Sequence, residues 1–132
     1  RYKNFGCWAA HIDDIANFIP ARITAMLLIL VGWIYVRLYP LLPHRSLAYY
    51  TKQTWHSSRC HASPNSGWPE AALSALLHCR FGGPHDYFGE LFYKPFIGSN
   101  PRQMTYSDML FSIRTCLLAE IVSVVVIVAI MI

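Results

Sequence analysis

Charge is what this sequence has least of. Only 14% of its 132 residues are Asp, Glu, Lys or Arg, against roughly 25% in ordinary soluble domains, while 55% are apolar. That balance argues against a water-soluble domain and for a membrane protein. Blocks of basic residues are lacking too. The net charge of +4 is spread along the chain, and no stripe of basic residues interleaved with aromatics marks a nucleic-acid groove, so no nucleic-acid partner is expected. Cys7, Cys60, Cys79 and Cys116 show no CxxC spacing and read as free thiols in a reducing compartment. His56, Cys60, His61, His78, Cys79 and His85 can be drawn together on paper, but their spacing matches no zinc pattern. There is no GxxxxGK[ST] loop, so no ATP site follows from a motif. The chain opens on the polar Arg1-Tyr2-Lys3-Asn4 with no initiator methionine, and this start is not expected to be a signal peptide.

What the sequence does have is two long apolar stretches. Ile23 to Leu42 is about the length that spans a hydrocarbon core as a helix, with Arg22 and Arg37 bracketing its apolar part and Trp33, Tyr35 and Tyr39 gathered toward one end. Ile113 to Ile132 is apolar enough to span again, with Arg114 at its edge and Glu120 inside; an ionisable group there is expected to face other helices or an interface. The expected fold is all-α, a polytopic integral membrane protein fragment. It has transmembrane helices over residues 19–42 and 113–132, and between them, over 43–112, a motif-bearing loop region with short helices. Pro40 and Pro43 should break the first span, and His44 to Arg59 reads as a basic, aromatic connector that can lie on a membrane surface. Ser107 is the expected cap of the last helix.

Ahead of the first span, Gly6 to Ile19 reads as a short helix that Pro20 ends or kinks. Asp13, Asp14 and Asn17 fall at helical spacings and share a face. Two carboxylates with an amide one turn on can hold Mg²⁺, which takes one or two carboxylates together with water and substrate phosphate; the competing reading is a solvated acidic face.

Between the spans lies the run Ser63-Pro64-Asn65-Ser66-Gly67-Trp68-Pro69-Glu70. Two prolines and a glycine make a rigid loop. Pro69 suits the start of a helix, and Glu70 the first turn, where a negative charge meets the positive end of the helix dipole. A loop of this kind places backbone N–H groups and the polar atoms of Ser63, Asn65, Ser66 and Glu70 on one edge, as in sites for anionic ligands. The alternative is a plain loop and helix cap. The helix from Pro69 to Phe81 is too short to cross a bilayer and should be re-entrant or packed on the spans. Gly82-Gly83-Pro84 should end it, followed by a loop from His85 to Gly98.

The run HASPNSGWPEAA, with GGPHDYFGE and KPFIG after it and HIDDIANFIPARIT before it, resembles the C-terminal part of the adenosylcobinamide-phosphate synthase family of cobalamin biosynthesis. The resemblance runs from about Arg1 to about Gly98 and covers well under half of a full-length member. It implies a multi-pass protein of the cell membrane that joins an aminopropanol phosphate to a carboxylate of the corrinoid cobyric acid, a carbon–nitrogen ligation that calls for ATP and Mg²⁺. It also implies that the N-terminal half of the same protein, a partner in the site, is missing from this fragment.

Carried onto this chain, the implied catalytic residues are Glu70, Asp13 and Asp14, the last two also as Mg²⁺ ligands. The implied substrate-binding residues are Asn17, Arg22, Ser63, Asn65, Ser66 and Lys94. Three positions depart from the family pattern: His11 stands where arginine is usual, and Ala75 and His78 where glycine is usual. Two other readings compete: a non-catalytic membrane subunit or transport component, and an inactive truncated product. If 23–42 crosses once, Asp13, Asp14 and Asn17 are expected on the opposite side of the membrane from the central loop, a conflict for residues meant to share one substrate.

Overall fold

The computed structural model describes residues 3–38 and 44–132. Five helices are found among them: α1 (Lys3–Ala16), α2 (Phe18–Leu38), α3 (Leu47–Ser58), α4 (Gly67–Leu77) and α5 (Tyr106–Met131). Four short strands lie between α4 and α5: β1 (Phe81–Gly82), β2 (His85–Tyr87), β3 (Glu90–Phe92) and β4 (Phe96–Ile97). The architecture is therefore mostly helical, with short strand pairs between α4 and α5. The expected end of the first span at Leu42, and the break at Pro40 and Pro43, fall outside the described residues.

α1 and α2 are parted by one residue, Asn17, and the cause is Pro20. Proline has no N–H to offer the carbonyl four residues back, so the ladder fails at Ala16. The first helix thus ends three residues earlier than the expected Ile19, and Pro20 sits in the first turn of the next. Asn17 steadies the junction: its Nδ2 donates to the Asp13 carbonyl at 3.1 Å and to Asp13 Oδ1 at 2.9 Å.

α2 buries Ala25, Leu28, Ile29, Gly32 and Val36, a stripe at helical spacing. Its other side leaves Ile19, Ile23, Met26, Leu30 and Ile34 exposed, continuing the exposed Trp8, Ile12 and Ile15 of α1. α2 and α5 are both long and apolar enough to cross a membrane. α5 begins before the expected Ile113: a capping box at Thr105, not Ser107, starts it, with Thr105 Oγ1 accepting from the Asp108 N–H and Asp108 Oδ2 accepting from the Thr105 N–H. A single helix then runs through to Met131, with Glu120 exposed on it.

The expected surface connector is instead a packed helix. Ser46 caps α3, accepting from the Tyr49 N–H at 3.2 Å, and α3 buries Tyr50, Thr54, Ser57 and Ser58, packing against α4 and α2. α4 in turn buries seven of its eleven residues, mostly alanine and leucine. Trp68 near its start meets Arg22 near the start of α2, and Leu76 near its end meets Gly32 further along α2. The two helices therefore run the same way, with α3 carrying the chain back between them.

α4 stops at His78, not at the Gly82-Gly83-Pro84 run. His78 is left-handed, with φ 52° and ψ 50°, and the Cys79 N–H reaches back to the Ser74 carbonyl at 3.2 Å and the His78 N–H to the Ala75 carbonyl at 3.4 Å. This is a Schellman cap, whose left-handed position favours glycine. The expected loop from His85 to Gly98 is a hairpin: β2 pairs antiparallel with β3 and β1 with β4. Phe88 and Gly89, with φ 57° and 86°, make the two-residue turn, since successive positive φ values match the right-handed twist of the strands.

Arg102 joins α4 to α5. Its guanidinium donates to both carboxylate oxygens of Asp108 at 2.7 Å and to the Leu77 carbonyl at 2.6 Å. One side chain thus neutralises a buried carboxylate and satisfies a helix-end carbonyl.

Candidate functional site: two clefts on either side of one loop

Because α3 runs back along α2, the loop between α3 and α4 arrives at the end of α2 that carries α1. Asn65 Nδ2 donates to the Asp14 carbonyl at 2.8 Å and, more weakly, to Asp14 Oδ1 at 3.3 Å. The acidic cluster and the central loop are therefore on one side, and the expected separation across a span is overturned. The reason is the return path: α3 and α4 fold back against α2 instead of leaving the loop at its far end.

Asp13, Asp14, Asn17, Ser63, Asn65 and Ser66 line one open cleft of about 280 Å³, floored by Pro20, Ala21, Thr24 and Pro69. No lysine or arginine lines it. The loop's own amides are turned inward. The Ser63 N–H donates to His61 Nδ1 at 2.9 Å, the Asn65 and Ser66 N–H groups approach Ser63 Oγ at 3.4 Å, and the Trp68 N–H donates to the Asn65 carbonyl at 3.1 Å. A cradle of free N–H groups for an anion is thus not what the loop presents. The cleft offers oxygen acceptors. Asn65 is 6% exposed, and its Oδ1 has no hydrogen-bond partner among the described residues, an uncompensated buried acceptor beside the acidic pair. An all-oxygen set of this kind fits a hard cation such as Mg²⁺. Among the described residues no group of three or more His, Cys, Asp or Glu side chains is gathered tightly enough to hold a metal alone; any cation here also needs ligands from substrate or water.

Gly67 decides how closely the loop sits on α3. A Cβ at this position would run into the Ser58 backbone carbonyl and stand 2.7 Å from the His61 side chain, so the α3–α4 turn closes only around glycine.

The other site residues expected from the sequence lie elsewhere. Arg22 is on the opposite side of the loop, in a neighbouring cavity of about 400 Å³ with Trp55, Arg59, His61, Pro64 and Trp68. Glu70, about half exposed, has its Oε1 at 3.9 Å from His61 Nε2. His61 Nδ1 lies 2.9 Å from the Ser63 N and 3.2 Å from the Ser63 carbonyl oxygen, so the loop backbone orients the ring with its Nε2 toward Glu70. Lys94 sits in the hairpin, beside a pocket with Phe88, Glu90 and Phe92, and lines neither cleft. His11 is exposed and lines neither.

Trp55, Arg59 and Trp68 are not among the site residues expected from the sequence, and His61 is weighed there only as a metal ligand. Trp55 and Arg59 read as part of the basic, aromatic connector, and Trp68 as part of the loop run. Only the packing of α3 on α4 puts them beside Arg22.

The fold and site together describe a mostly helical protein with two helices long enough to cross a membrane and a polar double cleft at one end of them. Residues 1–116 match the family model described as CobD/Cbib protein, and the chain belongs to that family. It is 36% identical to the cobalamin biosynthesis protein CobD of Klebsiella pneumoniae subsp. pneumoniae, over 86% of this chain and 33% of that protein. To CobD of Clostridium perfringens it is 38% identical, over 83% and 32%. To the cobalamin biosynthesis protein CbiB of Salmonella typhimurium it is 31% identical, over 98% and 38%. The chain thus spans about a third of the length of these curated relatives. No solved structure matches it.

Proposed function

We propose that the full-length protein to which this chain corresponds acts in cobalamin biosynthesis as an adenosylcobinamide-phosphate synthase. It would join the amine of aminopropanol phosphate to a carboxylate of cobyric acid, as a multi-pass protein of the cell membrane. The observation that carries this reading is the Asn65–Asp14 contact, which draws two stretches 51 residues apart into one polar cleft. The family membership and the names of the relatives give the pathway; the reaction itself is inferred from the parts.

Amide formation needs an activated carboxylate and a deprotonated amine. In this reading Glu70, whose Oε1 lies 3.9 Å from His61 Nε2, takes the amine proton, and His61, held by the Ser63 backbone, stands beside it. Asp13, Asp14 and Asn65 Oδ1 would hold Mg²⁺, which would offset phosphate charge during carboxylate activation. Ser63, Ser66 and Asn17 line the same cleft and would orient the substrate group bound beside it. Activation is assigned to ATP; no residue of this chain is assigned to the nucleotide. Arg22 serves phosphate from the neighbouring cavity, and Lys94 would act only if the hairpin folds over the site. The remaining parts of the site are assigned to the portion of the relatives' length that this chain does not span.

The test is complementation. The full-length gene, supplied to a strain lacking the synthase, should restore growth on cobyric acid, and residues 1–132 alone should not. Failure of the full-length gene sinks the enzymatic assignment.

A further inference from the structure

The second cleft has a chemistry of its own. Arg22 and Arg59 enter it from α2 and from the end of α3, each against aromatic rings: Arg22 Cζ is 3.3 Å from the centre of Phe18 and 4.7 Å from that of Trp68, and Arg59 Cζ is 4.9 Å from the centre of Trp55. The two indoles meet edge to face, 5.4 Å apart, so the tryptophan pair stands between the two guanidiniums. Stacking occupies the faces of a guanidinium and leaves its in-plane N–H donors pointing outward. Arg22 places one such donor on the Phe18 carbonyl at 2.6 Å; its remaining donors, and those of Arg59, meet no carboxylate among the described residues. Two guanidiniums thus line a cavity of about 400 Å³.

We infer that this Arg22–Arg59–Trp55–Trp68 cavity is a phosphate-monoester site, set apart by the His61–Ser66 loop from the cation-accepting cleft on the loop's other side. Guanidinium forks match the paired oxygens of phosphate. The edge-to-face tryptophans fix the direction of the forks. The loop between the clefts then separates the two charges of a small amino-alcohol phosphate ester, with the phosphate against the arginines and the amine end toward Glu70 and His61. The identity of that ester rests on the proposed synthase reading; the phosphate affinity does not. An anionic lipid headgroup carries the same phosphate chemistry, and the arms of the experiment separate the two sources.

The experiment is a titration of the full-length protein in nanodiscs, followed by tryptophan fluorescence, with inorganic phosphate as probe and no corrinoid or ATP present. In pure phosphatidylcholine discs, phosphate should give a saturable change, because Trp55 and Trp68 wall the site. Arg59→Gln should weaken it about 10- to 100-fold, the size of a lost charge-assisted hydrogen bond. Arg59→Lys should restore only part of it, since the fork is lost. Arg80→Gln, the same charge change at the other end of α4, should leave it as in the parent. If the response appears instead on adding phosphatidylglycerol to the discs, and depends on Arg59 in the same way, the occupant is a lipid headgroup phosphate. No Arg59-dependent response in either disc, or equal loss in Arg80→Gln, overturns the inference. Arg59 is exposed, so its substitution does not put folding at risk. Growth on cobyric acid tests the synthase reading separately and can succeed or fail independently of this titration.

Discussion

Asn65 donates to the main-chain carbonyl of Asp14 at 2.8 Å, and that side-chain amide ties the central loop to the helix that precedes the first apolar span. α1 makes few other contacts with the body of the fold. Its position over the cleft therefore depends on this amide more than on packing.

Asn65→Ala should release α1. A buried hydrogen bond of this type contributes about 1 kcal/mol, too little to unfold the protein but enough to free a helix held by little else. Hydrogen exchange over residues 9–16 should speed up several-fold while α4 keeps its protection. Unchanged exchange in α1 would show that the bond does not hold it.

Glu70→Gln separates a catalytic carboxylate from a helix cap. As a half-exposed first-turn acid near His61, Glu70 contributes at most about 1 kcal/mol of stability. As the acceptor of the amine proton it is worth roughly 10²- to 10⁴-fold in rate. Ligase activity of the full-length variant, at matched membrane expression, should fall by at least the lower figure. Activity within a few-fold of the parent would leave Glu70 as a cap.

His78→Gly should stabilise the protein. The left-handed φ of 52° at the Schellman position strains a residue with a Cβ, by about 1 kcal/mol relative to glycine. The gain should appear as a raised unfolding midpoint with no change in activity. A lower midpoint would mean that the imidazole makes a contribution larger than the relieved strain.

Arg102→Ala should be the most damaging single change outside the clefts. It strips a buried carboxylate, Asp108 at 4% exposure, of both its guanidinium bonds and exposes the end of α4 at Leu77. Breaking such a pair costs about 3 kcal/mol. Arg102→Lys should recover only part of this, because an ammonium cannot reach both carboxylate oxygens and the Leu77 carbonyl. Thermal unfolding of the two variants against the parent decides the order.

Thiol labelling should rank the cysteines by burial. Cys60 is exposed and Cys79 buried. Burial pushes the Cys79 thiol up, with Arg102 pulling it partly back and Asp108 adding to the rise, so little thiolate forms near neutral pH. A maleimide at pH 7 should modify Cys60 readily and spare Cys79 until the fold opens, and the gap should narrow as pH rises. Fast labelling of Cys79 in the folded protein would contradict the packing of α4.

Much of the helical frame was legible because it rests on local rules. Arg22 and Arg37 mark the apolar run of α2, Pro20 places a break before it, and the Pro/Gly/Ser composition of 63–69 marks the loop. The short strands escaped notice because pairing Phe81 with Ile97, or His85 with Phe92, joins residues whose neighbours carry no alternating pattern. The end of α4 was misplaced because His78 adopts a conformation usually left to glycine; the true glycines at 82 and 83 drew the boundary onward.

By itself, then, the sequence determined which segments are apolar enough to span, where prolines interrupt them, and which polar residues are candidates for chemistry, since each depends on a residue and its near neighbours. Only the tertiary structure decided which candidates meet. The small side chains of α4 let it lie against α2 with α3 folded back beside them. That return path brings Asn65 to Asp14, and it puts Arg59, Trp55 and Trp68 around Arg22 while leaving Lys94 in the hairpin. Such meetings depend on the direction in which packed helices run, and that direction is set by contacts between residues far apart in the chain.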